Sequence, residues 1–399
     1  MPVVRDYVRR LLESRWYGRA GWLRLFTPLS ALYGAIAEHR RKTALTQIQR
    51  SESSTNKTHP PVVVIGNIVA GGTGKTPVVM HVVERLRKQG VQAGVVARGY
   101  GASSATWPRV VTPRSDPARC GDEAVELATR LECPVVIGPD RAAAARWLHE
   151  LFGCDVIVSD DGLQHYRLKR DLEFALVDTH RQHGNGHLLP VGPLREPVAR
   201  LQSVDCVIET ARSAAISAQS PDTGSLSNPT GDAGGVPRLR GLLRPVSATH
   251  LLSNETVALD NSPFVGNHCV ALSGIGNPER FHADLLALGC TLTQRALADH
   301  ASYSGFTPDW PRDSVVVTTG KDAVKLRSLP VASVSDWLQQ VWVLNRQLVF
   351  CAADEQRLDR LLQEVMRRVP QDVPARSGLA SSGLPSNRSA PTSEESIDG

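Results

Sequence analysis

The segment Ala70-Gly71-Gly72-Thr73-Gly74-Lys75-Thr76 directly follows the apolar run Val62 to Ile65 and opens a stretch of helical periodicity. Glycines so placed let backbone N–H groups converge on phosphate oxygens, and the N-terminus of the helix adds a favourable dipole. Lys75 would reach the β- and γ-phosphates of a nucleotide, and the Thr76 hydroxyl would ligate Mg²⁺. The strict phosphate-loop pattern has glycine where this chain has Val69; Gly71 and Gly72 supply the freedom instead. The expected ATP-binding residues are therefore Val69, Ala70, Gly71, Gly72, Thr73, Gly74, Lys75 and Thr76.

A second set of chemical groups ends another apolar run: Val156-Ile157-Val158-Ser159-Asp160-Asp161-Gly162-Leu163-Gln164-His165. Acids at the carboxyl end of a parallel strand, beside a phosphate loop, sit where Mg²⁺ is held. Gly121-Asp122-Glu123 lies at a loop–helix junction, where Asp122 could cap the helix or serve as a base. Asp299-His300 could form a base–orienter pair. Arg98-Gly99-Tyr100-Gly101, after a further strand, could present a cation to an anionic substrate or simply make a tight turn. Arg195-Glu196-Pro197 would, alone, pass for a surface ion pair.

These groups need a scaffold. Short apolar runs at Val62–Ile65, Val91–Ala97, Cys133–Ile137, Asp155–Ser159, Phe174–Asp178 and Asp205–Glu209 alternate with helical stretches near Thr76–Gln89, Gly121–Leu131 and Arg141–Phe152. That alternation predicts an α/β fold, a P-loop NTPase-like parallel sheet with helices on both faces. Gln47 to Pro61 reads as a linker, and composition shifts to Ser, Gly, Pro, Asp and Thr after Arg212. Runs at Cys269–Leu272, Ser314–Thr318 and Val341–Leu344, with Asn277 and Pro278 opening a helix, predict a second, smaller α/β domain. The expected organisation is thus an N-terminal segment at 1–45, a kinase-like core at 46–211, a flexible insertion or linker at 212–238, a smaller domain at 239–370 and a disordered tail at 371–399.

The chain has 399 residues and a formal charge of only +5, so it is not a nucleic-acid binder by bulk charge. The basic character is local: nine Lys/Arg face three acids up to Lys42. Seven scattered cysteines without CxxC spacing point to reduced thiols. The uncharged stretch Leu25 to Ala37 is too short to span a bilayer and is interrupted by Pro28. It reads as an interfacial amphipathic helix, with Trp16, Tyr17, Trp22, Phe26 and Tyr33 at headgroup depth and arginines facing anionic lipid. A core-packing helix with a solvated basic face is the alternative.

Taken together the motifs resemble the tetraacyldisaccharide 4′-kinases, the lipid A 4′-kinase family. The resemblance rests on Gly66-Asn67 with Gly71 to Pro77, Arg98 to Gly101, Gly121 to Glu123, Asp140-Arg141 and Ser159 to His165. It continues through Gly184 to Gly186, Leu188 to Pro190, Gly192 to Pro197, Gly274 to Phe281, Asp299-His300 and Lys321 to Lys325. It implies transfer of the ATP γ-phosphate to the 4′-hydroxyl of tetraacyldisaccharide 1-phosphate at the cytoplasmic face of a bacterial inner membrane. By the same resemblance Lys75 is catalytic, and Thr76, Asp160, Asp161 and Glu196 surround Mg²⁺. Asp122 would be the general base, oriented by His300. Arg98, Tyr100, Arg141, Gln164 and His165 would lie near the acceptor. The family usually carries Glu before its late Lys-Asp, and this chain has Gly320. A membrane-recruited switch ATPase is the rival reading; such proteins often have an extra lysine early in the loop, and Val69-Ala70-Gly71 has none.

Overall fold

A computed structural model describes residues 11–52, 60–71, 74–99, 102, 106–212, 235–299, 301–329 and 336–369. Gly72, Thr73, Tyr100, His300, most of the 212–238 insertion and the 371–399 tail lie outside the described residues.

In chain order the strands are β1 (Val62–Gly66), β2 (Ala93–Ala97), β3 (Arg109–Val111), β4 (Val135–Ile137), β5 (Val156–Asp160), β6 (Leu172–Asp178) and β7 (Cys206–Arg212). They continue as β8 (Arg238–His250), β9 (Thr256–Ala258), β10 (His268–Ser273), β11 (Thr291–Ala296), β12 (Val316–Thr318) and β13 (Val341–Phe350). Among the described residues all 13 join one sheet in the order β11-β10-β12-β13-β8-β7-β6-β1-β5-β2-β4-β3, with β9 on β8. Neighbours are parallel except β3/β4, β8/β9 and β8/β13. The strands of the C-terminal segment therefore extend the first sheet, joined to it through β8.

The helices used below are α1 (Thr27–Glu52), α2 (Lys75–Lys88), α3 (Asp122–Arg130), α4 (Arg141–Phe152), α5 (Pro278–Ala287), α6 (Gly320–Arg327) and α7 (Ala352–Met366). β1, β2, β5 and β6 are buried along their whole length, as expected for strands covered on both faces. Alternate residues go to opposite faces: Val63 and Ile65 pack with α2, α3 and α7, whereas Val62 and Val64 pack with α4.

Three departures from the sequence reading have physical causes. First, α1 runs through Gln47 to Glu52, so that part of the expected linker is helical; its polar residues include no Gly or Pro to stop it. Second, β8 spans 13 residues although Gly241 and Pro245 interrupt its pattern. The register opposite β13 shifts between Asn345 and Arg346, so Pro245 sits at a bulge, where a missing N–H costs least. Third, the aromatic residues of the N-terminal segment divide. Trp16 Nε1 donates to Pro190 O at 3.0 Å, Tyr17 Oη to Ala70 O at 3.3 Å and Tyr33 Oη to Arg195 O at 3.1 Å. These three hold the segment to the body of the protein. Trp22 and Phe26 are exposed, together with Leu25 (81%), Leu29, Leu32 and Ile36. Positions 29, 32 and 36 share one face of α1 by their spacing, Leu25 lies in the 3-10 turn Gly21–Phe26 just before it, and Ser30, Tyr33 and Gly34 face the protein.

Candidate active site

β1 ends at Gly66, and the chain turns into the glycine loop along a shoulder. Val69 bridges Leu194, and Ala70 N donates to Pro193 O at 2.8 Å. Gly74 closes the described part of the loop in the left-handed region, φ +80°, as the N-cap of α2. That backbone favours glycine, and a Cβ there would press on the Leu243 Cδ1 methyl at 2.7 Å. Lys75 follows as the first residue of α2.

β5 lies beside β1 with Asp160 opposite Ile65, which brings the acids next to the loop. Asp161 turns out of the strand at φ +51°. Its carboxylate sits 3.4 Å from Lys75 Nζ and accepts from Arg195 Nη1 at 3.1 and 3.2 Å. Burial alone would raise Asp161, but Lys75, Arg195 and Arg141 outweigh it and hold the carboxyl well below the usual range. Asp160 is buried, its Oδ1 has no hydrogen-bond partner, and burial reinforced by the Glu123 charge pushes it up to about 7. Gly162 packs the turn: a Cβ there would stand 2.6 Å from Ser159 Oγ and 2.8 Å from Val64 Cγ1. Gly162→Ala is therefore expected to cost ~1–3 kcal/mol, read as a lower urea-unfolding midpoint; an unchanged midpoint would show that β1 and β5 yield freely.

Arg141 opens α4, capped by Asp140, whose Oδ1 accepts from Ala142 N and Ala143 N at 3.0 and 3.1 Å. Only 2% exposed, Arg141 donates to Ser159 Oγ at 3.0 Å. Gln164 ties three segments together. Its Nε2 donates to Asn67 O and Glu196 Oε2 at 2.9 and 2.8 Å, and its Oε1 accepts from Arg195 at 3.3 Å.

Asp122, which lines the same cleft, begins α3, buried, with Oδ1 accepting from Glu123 N at 3.0 Å. Its Oδ2 lies 3.9 and 3.8 Å from Lys321 and Lys325 Nζ, both on α6. Lys321 also approaches Glu123 and Asp299, at 3.3 and 3.5 Å. Burial would lower the Lys321 pKa, but the Glu123, Asp122 and Asp299 carboxylates outweigh it and hold the ammonium charged.

Ala70, Gly71, Gly74, Lys75, Thr76, Arg98, Asp122, Arg141, Asp160, Asp161 and Gln164 line one cleft of about 1550 Å³. Three of the expected residues stand behind it. Val69 is buried in the shoulder, and Glu196 reaches the cleft only through Gln164, with Arg200 Nε 3.9 Å away. His165 accepts from Arg141 N at 3.4 Å; burial and the nearby arginines push it down to about 4, so it stays neutral near pH 7.

A lysine and two acids at the ends of adjoining parallel strands suit a Mg-nucleotide, and the buried Asp122 carboxylate suits proton removal from an acceptor. Comparison with known proteins names a kinase. The chain matches the family model described as tetraacyldisaccharide-1-P 4′-kinase over residues 22–367. It belongs to that family. Proteins named tetraacyldisaccharide 4′-kinase include one from Hahella chejuensis, 37% identical over 355 residues, covering 89% of this chain and 97% of that one. One from Chromobacterium violaceum is 42% identical over 345 residues, 85% of this chain and 94% of its own. The crystal structure of LpxK from Aquifex aeolicus in complex with ATP is 25% identical, covers 86% of this chain and 99% of that one, and superposes with a TM-score of 0.67. The chain is thus a kinase of lipid A biosynthesis.

Within this kinase, reading the sequence missed what Lys321, Lys325 and Glu126 do in space. Glu126 lies one turn after Asp122 on α3, and its Oε1 occupies the space a side chain at Gly320 would need. Burial pushes the Glu126 carboxyl up to about 7. In this chain the space beside Gly320 is thus taken by a carboxylate from another helix.

Proposed function

We propose that this chain transfers the γ-phosphoryl group of ATP to the 4′-hydroxyl of tetraacyldisaccharide 1-phosphate, giving the 1,4′-bisphosphate. The observation that carries this reading is one cleft lined by Lys75, Asp160, Asp161 and the buried Asp122. The glycine-loop amides and Lys75 hold the β- and γ-phosphates. As the acceptor oxygen bonds to the γ-phosphorus, its proton passes to Asp122 and the bond to the β,γ-bridging oxygen breaks, its electron pair leaving with ADP. A positioned carboxylate base contributes about 10²–10⁴-fold.

Thr76, Asp160 and Asp161 would hold Mg²⁺, with Glu196 supporting them from behind Gln164. The orphaned oxygen of Asp160 fits that role, since a buried carboxylate without a partner is costly. Among the described residues no three His, Cys, Asp or Glu side chains form a ready-made cage. Mg²⁺ commonly takes one or two carboxylates and completes its shell with waters and substrate phosphates. When bound, the ion supplies charge neutralisation at those phosphates.

Arg98, Arg141 and Gln164 face the acceptor side, with His165 fixing the start of α4. His300 as orienter of Asp122, and Tyr100 beside the sugar, lie outside the described residues and remain part of this proposal through Asp299 and Arg98. The division of labour follows the chain: residues 46–211 hold nucleotide and base, and 239–370 form a smaller lobe that supplies Lys321 and Lys325.

We further propose that the protein docks peripherally on the cytoplasmic face of the inner membrane. No helix among the described residues is long and apolar enough to cross a bilayer. The exposed stripe Leu25, Leu29, Leu32 and Ile36 supports insertion at the interface, where a tetraacylated acceptor resides. Each leucine withdrawn from water is worth roughly 1.5–3 kcal/mol, so Leu25→Glu with Leu29→Glu should weaken binding to anionic vesicles at least about tenfold. Unchanged co-sedimentation would remove the stripe from the reading. For the activity itself, purified protein incubated with ATP and the disaccharide 1-phosphate should yield a product heavier by one phosphoryl group in mass spectrometry. ATP hydrolysis without phosphorylated lipid would overturn the assignment.

A further inference from the structure

The motif Gly274 to Phe281 has no role in the mechanism above, yet it brings a charge to the phosphate loop. It connects β10 to α5 and places Arg280 in the first turn of that helix. Arg280 is 6% exposed and lines the cleft. Its Nη1 lies 3.5 Å from the Cβ position of Gly74, the residue immediately before Lys75. Behind it Asp178, at the end of β6, places Oδ2 3.7 Å from the same nitrogen. Asp178 cannot swing away, because its Oδ1 accepts from His180 N and Arg181 N at 2.9 and 3.2 Å. A buried guanidinium is therefore held by a fixed carboxylate against the bare backbone of the loop.

Burying an arginine needs a counter-charge, and Asp178 at 3.7 Å supplies one while leaving the guanidinium beside Gly74 in the cleft. A planar fork of donors at that spot matches phosphate oxygens, which lysine contacts only as a point charge. We propose that Arg280 is a second phosphate-contacting cation, supplied from the C-terminal strands, which touches the β- and γ-phosphoryl oxygens and stabilises their charge during transfer. Asp178 is its positioning residue. Nucleotide would then be gripped from two distant parts of the sheet: Lys75 after β1 and Arg280 after β10.

This role rests on the ATP-kinase reading, and the test separates the two. Affinities of the full chain for ATP and for AMP are measured by equilibrium dialysis without lipid, and kcat is measured with the lipid acceptor. Arg280→Gln should lower ATP affinity about tenfold and kcat by about 10²–10³-fold, the loss typical of one charge-stabilising donor. AMP, which lacks the contacted phosphates, should bind as it does to the wild type, and an unaltered circular-dichroism melt excludes misfolding. Arg280→Lys should recover ATP affinity better than kcat. Asp178→Asn, which keeps the guanidinium, should lose less than Arg280→Gln. The proposal is overturned by wild-type ATP affinity and turnover in Arg280→Gln, by equal losses for AMP and ATP, or by Asp178→Asn matching Arg280→Gln. A wild-type chain that binds no ATP overturns the parent reading instead, and this role with it.

Discussion

Lys75→Ala is expected to lower phosphoryl transfer by at least about 10²–10³-fold, the loss typical of a single charge-stabilising donor in a water-poor site. The side chain stands at the start of α2, 3.4 Å from Asp161 and 3.5 Å from Asn67 Oδ1. Both partners keep other contacts in the variant: Asp161 retains Arg195, and Asn67 O still accepts from Gln164. The fold should therefore persist while the γ-phosphate loses its cation. Single-turnover assays with labelled ATP, alongside a thermal melt, separate these effects. Turnover within fivefold of wild type would mean that the loop does not hold the transferring group.

The second large effect concerns Asp122. Asp122→Asn keeps the shape and can still accept from Glu123 N, but it cannot accept a proton. A fall in kcat of about 10²–10⁴-fold with little change in ATP affinity is expected. The neighbouring charges soften the structural cost: Lys321 keeps Glu123 and Asp299, and Lys325 keeps Asp322 at 3.0 Å. A variant that turned over normally would show the base to lie elsewhere. One that lost ATP affinity in parallel would show Asp122 to be part of the nucleotide site.

Much of this site was legible because its residues are neighbours in the chain. The glycine loop and the Asp160-Asp161 pair each follow an apolar run, and a parallel sheet that sets β5 beside β1 must bring them together. The lysines around Asp122 were a different matter. Lys321 and Asp122 are far apart in sequence, and only the packing of α6 against α3 makes them partners. The same holds for Glu126 against Gly320, where a local pattern could not announce that one helix fills space left by another. β8 was hidden by Gly241 and Pro245, local signals against a strand that pairing with β7 and β13 overrides. The aromatic residues near the N-terminus divide for a related reason, since their types and spacing do not show which rings have hydrogen-bond partners in the body.

Those rings make the N-terminal segment a beam of the cleft's scaffold, whatever it does at a lipid surface. Tyr17 bonds the carbonyl of Ala70 in the loop, and Tyr33 bonds that of Arg195, whose guanidinium grips Asp161. A truncation through residue 42 would therefore mix a test of the proposed docking with the loss of the bonds that brace the loop. Leu25 can therefore change without disturbing the cleft, whereas a change at Tyr17 or Tyr33 removes a bond to the loop or to the Arg195 backbone.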